Sequence, residues 1–200
     1  MAIKFEKQSY SGDNPAIWRG ECKVLPGGFK PKQNFARGTV IKRATPVQVN
    51  FEDMSVNIVK VGKVLTGSTT TKLRLTKNSY LAVGDTIAKI GVNTKSTTVS
   101  AIDTSNPEYD EVTIAASLST SVGDLIQESA AYVASTTNAD PLYQPNAIIA
   151  ADYEYTGNGI PTLDVAYEAL VLSNVAQPIP SDYLVGFSLK NNPSIKYIRQ

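Results

Sequence analysis

The sequence predicts a mainly β protein, and two observations support this fold class. Short runs rich in Thr, Val and Ile recur along the chain and alternate polar with apolar residues, for example over 72–76 and 111–115. This period of two is typical of half-buried strands. A strand followed by a Val-Gly-Asp turn also occurs twice, over residues 72–87 and 111–126. Together these features favour a small β-barrel or sandwich domain.

The two strand–turn units match at both the strand and the turn. Leu73 and Val112 are 39 residues apart, and so are Val83 and Val122. Glycine in such a turn reaches a backbone angle that other residues adopt only with strain, and the aspartate can bond a nearby backbone amide. We therefore expect residues 63–130 to form one β-domain with an internal duplication.

Residues 38–62 and 131–200 are predicted to form a second, β-rich (α+β) base domain into which the duplicated domain is inserted. The early strands need partners, and the strands after residue 160 are the only others left. Residues 162–172 alternate like a strand, although Ala, Glu and Leu also favour a helix there. A short helix can start at Ser181 after Pro180, and the final run 195–199 is predicted to be a strand.

Residues 1–37 are predicted to be an extended N-terminal arm. The stretch 9–34 is dense in turn-forming residues and has no sustained period, so regular strands are expected only from Gly38 onwards. Isolated large apolar residues occur in this segment, including Trp18 and Phe35. They either fold back on the body or dock on a neighbouring subunit, and the length of the arm slightly favours docking.

The charge distribution is uneven although the net charge is only +1. Residues 1–62 hold ten Lys and Arg against five Asp and Glu, whereas residues 131–200 hold three against six. The basic part lacks clustered Arg with interleaved aromatics, so no nucleic-acid contact is predicted. It is either a solvated face or a contact for an acidic protein surface. No apolar run reaches the roughly 18 residues of a membrane span, and the N-terminus has no secretion signal.

The chain contains no histidine and one cysteine, Cys22. The lack of histidine removes the usual general base, the usual catalytic triad and most zinc, copper and iron sites. Cys22 has no histidine to activate it and is expected to be a packing residue or an inert thiol. The chain is therefore predicted to be neither an enzyme nor a cofactor-binding protein.

Two groups of carboxylates are candidate binding or catalytic sites. The acidic cluster of Asp103, Glu108, Asp110 and Glu111 could bind Ca²⁺, but its spacing is not that of an EF-hand, and a solvated hairpin tip is the favoured interpretation. A second group could supply the carboxyl pair of a glycosidase, although polar strand faces commonly hold such residues. Its members are Asp152, Glu154 and Asp164.

Glycine-containing loops and tyrosines complete the candidates. The loops over 67–71 and 157–159 lack the strand-to-helix context of a phosphate site and are predicted to be turns. Seven of the ten tyrosines lie within 131–200. They suit either strand packing or an interface, and the second interpretation leaves open a carbohydrate- or surface-binding β-module as the alternative function.

The order of these parts resembles that of the head fibre and head decoration proteins of tailed bacteriophages and prophages. One residue departs from the expected pattern, because Ala44 stands where a glycine is expected. The resemblance covers most of the chain. It rests on the turn-rich arm and on five motifs: Gly-Thr-Val-Ile-Lys-Arg-Ala-Thr-Pro-Val (38–47), Val-Ser-Ala-Ile-Asp (99–103) with Tyr109-Asp110, Val-Gly-Asp (122–124), Val-Ala-Tyr-Glu-Ala (165–169) and Ile-Lys-Tyr-Ile (195–198).

The resemblance implies a structural virion protein on the capsid exterior, assembled in the bacterial cytoplasm and without catalytic or cofactor residues. It implies a homo-oligomer, with a trimer favoured, and the major capsid protein as partner. By this analogy the basic arm grips the shell while the duplicated domain projects outward. The candidate capsid or subunit contacts are Trp18, Arg19, Lys30, Lys32, Phe35 and Arg37.

Overall fold

The computed structural model describes residues 17–156 and 162–199. These residues form sixteen β-strands and one 3-10 turn, which confirms the prediction of a mainly β protein. Within the same two ranges, no helix is long and apolar enough to cross a bilayer.

The strands form an N-terminal, a central and a C-terminal group. The first group is β1 (Trp18–Pro31), β2 (Val40–Ile41), β3 (Pro46–Asn50) and β4 (Ser55–Ile58). The second is β5 (Val61–Lys63), β6 (Lys72–Thr76), β7 (Thr86–Lys89), β8 (Thr97–Asp103), β9 (Tyr109–Ile114) and β10 (Leu125–Glu128). The third is β11 (Ala147–Ile149), β12 (Tyr153–Glu154), β13 (Leu163–Leu172), β14 (Leu184–Val185), β15 (Ser188–Leu189) and β16 (Asn192–Ile198).

Strands of the first and third groups form an eight-stranded mixed sheet, which we call the base sheet. Its order is β1-β4-β3-β11-β13-β16-β15-β14, and β1 also pairs with β13. This additional pairing closes β1, β4, β3, β11 and β13 into a ring around a cluster of buried side chains that includes Phe29, Ile58 and Val165. The short strands β2 and β12 pair with each other in a separate two-stranded sheet.

Strand β13 is the centre of the base sheet. One of its edges pairs with β1, and the other pairs first with β11 and then, in parallel, with β16. Because both edges and most of its side chains are covered, the buried residues follow no simple alternation along the strand. The helical alternative for residues 162–172 is therefore wrong, since partners on both sides outweigh the helix propensity of Ala, Glu and Leu.

The expectation that regular strands begin at Gly38 is wrong, because β1 extends over Trp18–Pro31. Its pairing with β13 shifts register three times: between Arg19 and Lys23, between Lys23 and Val24, and between Leu25 and Phe29. Gly20 and Gly28 lie within the first and last of these shifts, with φ of 68° and 64°. Each bulge interrupts the alternation of apolar residues, so the strand has no sequence period of two.

The C-terminal part, the start of the central group and Ala44 can also be compared with their predictions. The (α+β) description of the base is wrong, because the described residues contain no α-helix and the short helix predicted from Ser181 is only a 3-10 turn over Ser181–Tyr183 behind Pro180. The predicted C-terminal strand is present as β16, which pairs with β13. Val61 and Gly62 pair with β10, so strand pairing with the central group begins two residues before the predicted boundary. Ala44 is fully buried and has a φ of 61°, a conformation that favours glycine.

The central strands form a closed antiparallel barrel. Their order is β5-β10-β7-β8-β9-β6, and the ring is completed by a bridge between Val64 and Leu75 and a 2.7 Å hydrogen bond from the Leu65 amide to the Arg74 carbonyl. The interior is filled by aliphatic side chains. They are Val64, Leu73, Leu75, Leu81, Ile87, Val99, Val112, Ile114, Leu118 and Ile126.

The barrel has an approximate two-fold symmetry that relates β5-β6-β7 to β8-β9-β10. Duplicated strands pair with their own copies: β6 with β9, and β7 with β10. The two turns are also built alike, because the Asp85 carboxylate accepts a bond from the Ala82 amide (2.7 Å) and the Asp124 carboxylate accepts one from the Ser121 amide (2.6 Å). Such a bond across the turn holds the loop that precedes each third strand.

The chain enters and leaves the barrel at one point, which we call the junction. The Glu128 amide donates to the Lys60 carbonyl (3.2 Å), and the Lys60 ammonium lies 2.7 Å from Asp85 and 3.0 Å from Glu128. The Lys60 side chain is only 6% exposed. Burial raises the pKa of Glu128, the Lys60 charge opposes that rise, and the net shift is upward.

We predict that Gly84→Ala and Gly123→Ala each destabilise the protein by about 1–2 kcal/mol, the cost of a left-handed conformation for an L-residue. Their φ values are 96° and 95°, and an added Cβ would meet open space, so backbone strain is the whole effect. Urea unfolding measures the loss. Val83→Ala and Val122→Ala are matched controls, because these side chains are 64% and 65% exposed. Equal losses in variants and controls would contradict the prediction.

We predict that Lys60→Met destabilises the protein by about 3–5 kcal/mol, because it leaves two largely buried carboxylates, 13% and 11% exposed, without their shared cation. Glu128→Gln should have the opposite effect at pH 7. When folding raises the pKa of a carboxyl, the folded protein becomes less stable as the pH rises from the ordinary pKa of 4.5 towards the pKa in the folded state. Removing the ionisable group removes this loss.

The free energy of unfolding measured at pH 4 and pH 7 checks this sign. Relative to wild type, Glu128→Gln should have a larger free energy of unfolding at pH 7 than at pH 4. Glu108→Gln is the control, because Glu108 is exposed at a hairpin tip. A Glu128→Gln variant that loses stability relative to wild type between pH 4 and pH 7 would refute the argument.

Candidate functional site

A cleft lies where the barrel meets the base sheet, and we call it the joint cleft. Its volume is about 320 Å³, within the range of small-ligand sites. The barrel contributes residues 76–78 between β6 and β7. The other wall is formed by Ile17, Lys42, Arg43, Asp152, Val175, Ala176, Gln177 and Pro178.

The floor of the cleft holds two cations that share one carboxylate. Asp152 accepts a 2.8 Å bond from the Arg43 amide, while its oxygens lie 3.4 Å from the Lys42 ammonium and 3.8 Å from Arg43 Nε. Burial acts to raise the pKa of Asp152, but the amide bond and the two positive charges outweigh it and hold that pKa below its ordinary value. Asp152 is thus an ionised acceptor fixed mainly by backbone.

Two residues of the cleft carry polar atoms with unmet hydrogen bonds. Arg43 Nε is buried and has no acceptor within bonding distance. Gln177 donates from Nε2 to the Asn78 carbonyl at 2.6 Å, and its Oε1 is buried without a donor. A buried unsatisfied group has a free-energy cost, so this arrangement of the cleft leaves both side chains with hydrogen-bonding capacity that is not used.

Tyr80 holds the barrel loop against the base beside the cleft. The Lys42 amide donates to its hydroxyl at 2.8 Å. Asn78 and Tyr80 have φ values of 62° and 59°, a strained conformation for residues other than glycine. The bond from Lys42 thus helps fix both walls of the cleft relative to each other.

The six sequence-predicted contact residues have different environments. Trp18 and Phe35 are partly buried and pack against clusters of the chain's own core. The four cations are exposed, and Lys32 forms a 2.7 Å ion pair with Asp53. Residues 17–37 therefore fold back on the body, contrary to the expectation that docking on a neighbour is favoured. Residues 1–16 of the predicted arm lie outside the described ranges.

The acidic cluster and the carboxylate group are dispersed among different partners. Asp110 pairs with Lys77 at 2.7 Å, and Glu111 lies 3.1 Å from Lys72. Asp164 accepts a 2.9 Å bond from the Tyr153 hydroxyl rather than facing Asp152 as a catalytic pair. Among the residues described, no group of three or more His, Cys, Asp and Glu is placed to hold a metal ion.

The remaining candidates are turns or core residues. Residues 67–71 belong to the turn between β5 and β6, which is held by local hydrogen bonds such as the one from Ser68 Oγ to the Leu65 carbonyl (2.8 Å). Residues 157–159 lie outside the described part of the chain. Cys22 is half-buried against the core, and burial raises the pKa of its thiol. That shift disfavours the thiolate that a nucleophile requires.

The C-terminal tyrosines contribute mainly to packing. Tyr183 and Tyr197 are buried in the core, and Tyr143 and Tyr153 pack against core clusters while partly buried. Tyr167, at 37% exposed, is a borderline surface residue. These positions favour the packing interpretation over a solvent-facing aromatic platform.

The most exposed large apolar side chains lie on the β14–β15 hairpin. Val185 is 67% exposed and Phe187 is 71% exposed, on either side of Gly186. β14 is the last strand of the base sheet, so this hairpin also carries an edge with unpaired backbone groups. We call it the apolar hairpin.

Sequence reasoning did not find the joint cleft. Its polar residues are separated by more than a hundred positions, from Lys42 to Gln177, and only the fold brings them together. Two local signals were present: Asp152, which was a candidate for a different site, and the Lys42-Arg43 doublet, which lies within the motif that carries the phage resemblance. No protein-family model, curated protein or solved structure matches the chain.

We predict opposite effects for two conservative tyrosine substitutions. The Tyr183 hydroxyl donates to Gln127 Oε1 at 2.8 Å, so Tyr183→Phe should cost about 1 kcal/mol. The Tyr197 hydroxyl is buried without a partner, so Tyr197→Phe should be neutral or stabilising. Thermal unfolding of both variants against wild type measures the difference. A Tyr197→Phe loss as large as that of Tyr183→Phe would show that the Tyr197 hydroxyl is satisfied.

Proposed function

We propose that this protein is a structural component of a tailed-phage or prophage virion that decorates the outside of the capsid as a homo-oligomer. The observation that carries the proposal is the apolar hairpin at the edge of the base sheet. Exposed Phe and Val beside an open strand edge are typical of a surface that another protein covers. The phage resemblance of the sequence supports the same conclusion, with a trimer as the favoured oligomer.

The finer architecture is also part of this proposal: a barrel domain inserted into a base domain, with an N-terminal arm. The bond from the Glu128 amide to the Lys60 carbonyl brings the entry and exit of the barrel side by side. An insertion of this kind leaves the pairing of the base sheet intact, since β3, β4, β11 and β13 pair without a central strand between them. We assign the base to assembly and the barrel to the outward face.

The contact with the major capsid protein is assigned to the basic part of the base. Arg19, Lys30, Lys32 and Arg37 are exposed and suit an acidic shell surface. Trp18 and Phe35, which are partly buried in the chain itself, serve as supports for this surface rather than as anchors. Assembly in the bacterial cytoplasm follows from this role.

We predict that Val185→Ser with Phe187→Ser weakens self-association by tenfold or more, because each apolar side chain contributes about 1.5–3 kcal/mol when fully buried. Sedimentation velocity gives the oligomer distribution, and co-sedimentation with capsids of the phage or prophage that encodes the chain gives binding. Wild type should sediment as an oligomer and pellet with the capsids.

The matched control is Val83→Ser with Val122→Ser, which removes equally exposed apolar side chains from the barrel. It should change neither the oligomer nor capsid binding. A wild-type monomer that leaves all capsids bare would overturn the proposed function. An oligomer that tolerates the hairpin variant would overturn the assignment of the interface.

A further inference from the structure

We propose that the joint cleft binds a short acidic peptide segment of a partner protein. The segment would place a carboxylate against Lys42 and Arg43, a backbone amide against Gln177 and an aliphatic side chain against the apolar wall. This inference does not depend on capsid decoration, because it rests on the cleft alone.

The charge of the cleft is the first argument. Lys42 and Arg43 together offer two positive charges to a single carboxylate, Asp152. Their distances from it, 3.4 and 3.8 Å, exceed the roughly 2.7–2.9 Å of a strong charge-assisted bond. Lys77 adds a third cation at the rim, although Asp110 already neutralises it at 2.7 Å. A second carboxylate would therefore complete the pairing at the floor.

Unmet hydrogen bonds supply the second argument. Arg43 Nε has no acceptor, and because the Arg43 side chain is 34% exposed, an incoming carboxylate can reach its guanidinium, for which a carboxylate is the preferred acceptor. The Gln177 amide is held by its bond to the Asn78 carbonyl, which leaves Oε1 as an acceptor that needs a donor. A peptide N–H is such a donor, whereas a fully ionised anion such as sulfate or chloride supplies none.

The apolar wall supplies the third argument. Ile17, Val175, Ala176 and Pro178 line the cleft beside the polar floor. Val175 is 38% exposed, so a ligand side chain can cover surface that is now in water. One carboxylate, one amide donor and one aliphatic group next to each other are the features of an acidic residue flanked by Leu, Ile or Val in a peptide.

The test is fluorescence anisotropy with labelled peptides and the full chain. A peptide of alternating Asp and Leu should bind about tenfold or more tightly than the same peptide with Asn for Asp, because a charge-assisted bond is lost. Lys42→Gln, Arg43→Gln and Val175→Asp should each weaken binding of the acidic peptide about tenfold. Lys95→Gln, which removes an exposed cation elsewhere, should leave it unchanged.

Circular dichroism melting of each variant separates lost binding from lost folding, and Val175→Asp tests the cleft without removing a cation. Equal binding of the two peptides would overturn the proposal, and so would full binding by the folded cleft variants. Inorganic phosphate that displaces the peptide at equal concentration would show a general anion site and would also overturn it. Because no capsid or oligomer is involved, failure here leaves the decoration proposal to its own test.

Discussion

One buried ammonium group lies at the junction of the two parts of this molecule and is shared by two carboxylates of the barrel. Lys60 lies where the chain passes into the barrel. Its charge is shared by Asp85, just before β7, and by Glu128, the last residue of β10. Next to it, Gln127 accepts the Tyr183 hydroxyl from the core of the base. A buried ion pair adds little net stability compared with apolar packing, but removing one partner is strongly destabilising because it leaves an uncompensated charge. Lys60 therefore compensates two carboxylates of the barrel at the point where the chain enters and leaves it.

A strand could be predicted from the sequence where burial of one face alone determines the pattern of apolar residues. It could not be predicted where bulges or coverage of both edges also affect that pattern. Strands β6 and β9 bury one face, so their alternation was readable and the 39-residue repeat followed. Strand β1 has bulges at Gly20 and Gly28, and glycine suggests a turn when nothing else is known. Strand β13 is covered on both edges, which removed the alternation that separates strand from helix. The ring closures depend on long-range pairing, which no local pattern encodes.

The candidate site was less predictable than the fold because its residues are ordinary in type. No motif joins Lys42 and Arg43 to Asp152 or Gln177, and their relation exists only once β2, β12 and the segment after β13 are placed together. The search by residue type selected Asp152 as a carboxylate of a catalytic pair with Glu154 or Asp164, not as the partner of two cations, and Asp164 instead accepts a bond from Tyr153. The exposed Phe187 had no signal either, since exposure depends on which strand is the last of the sheet.

The symmetry of the barrel explains why Lys60 is required. The two-fold relation that maps Asp85 on Asp124 also maps Lys89 on Glu128, because both pairs are 39 residues apart. Away from Lys60, Asp124 meets Lys89 at 2.7 Å, an ordinary ion pair within the barrel. On the side facing the base the same positions hold two carboxylates, which repel each other unless a cation is added between them. The base provides that cation from its own connecting segment. The duplicated unit has thus diverged at the junction, where it needs a cation from outside the barrel, while the equivalent position in the other half supplies its own cation from Lys89.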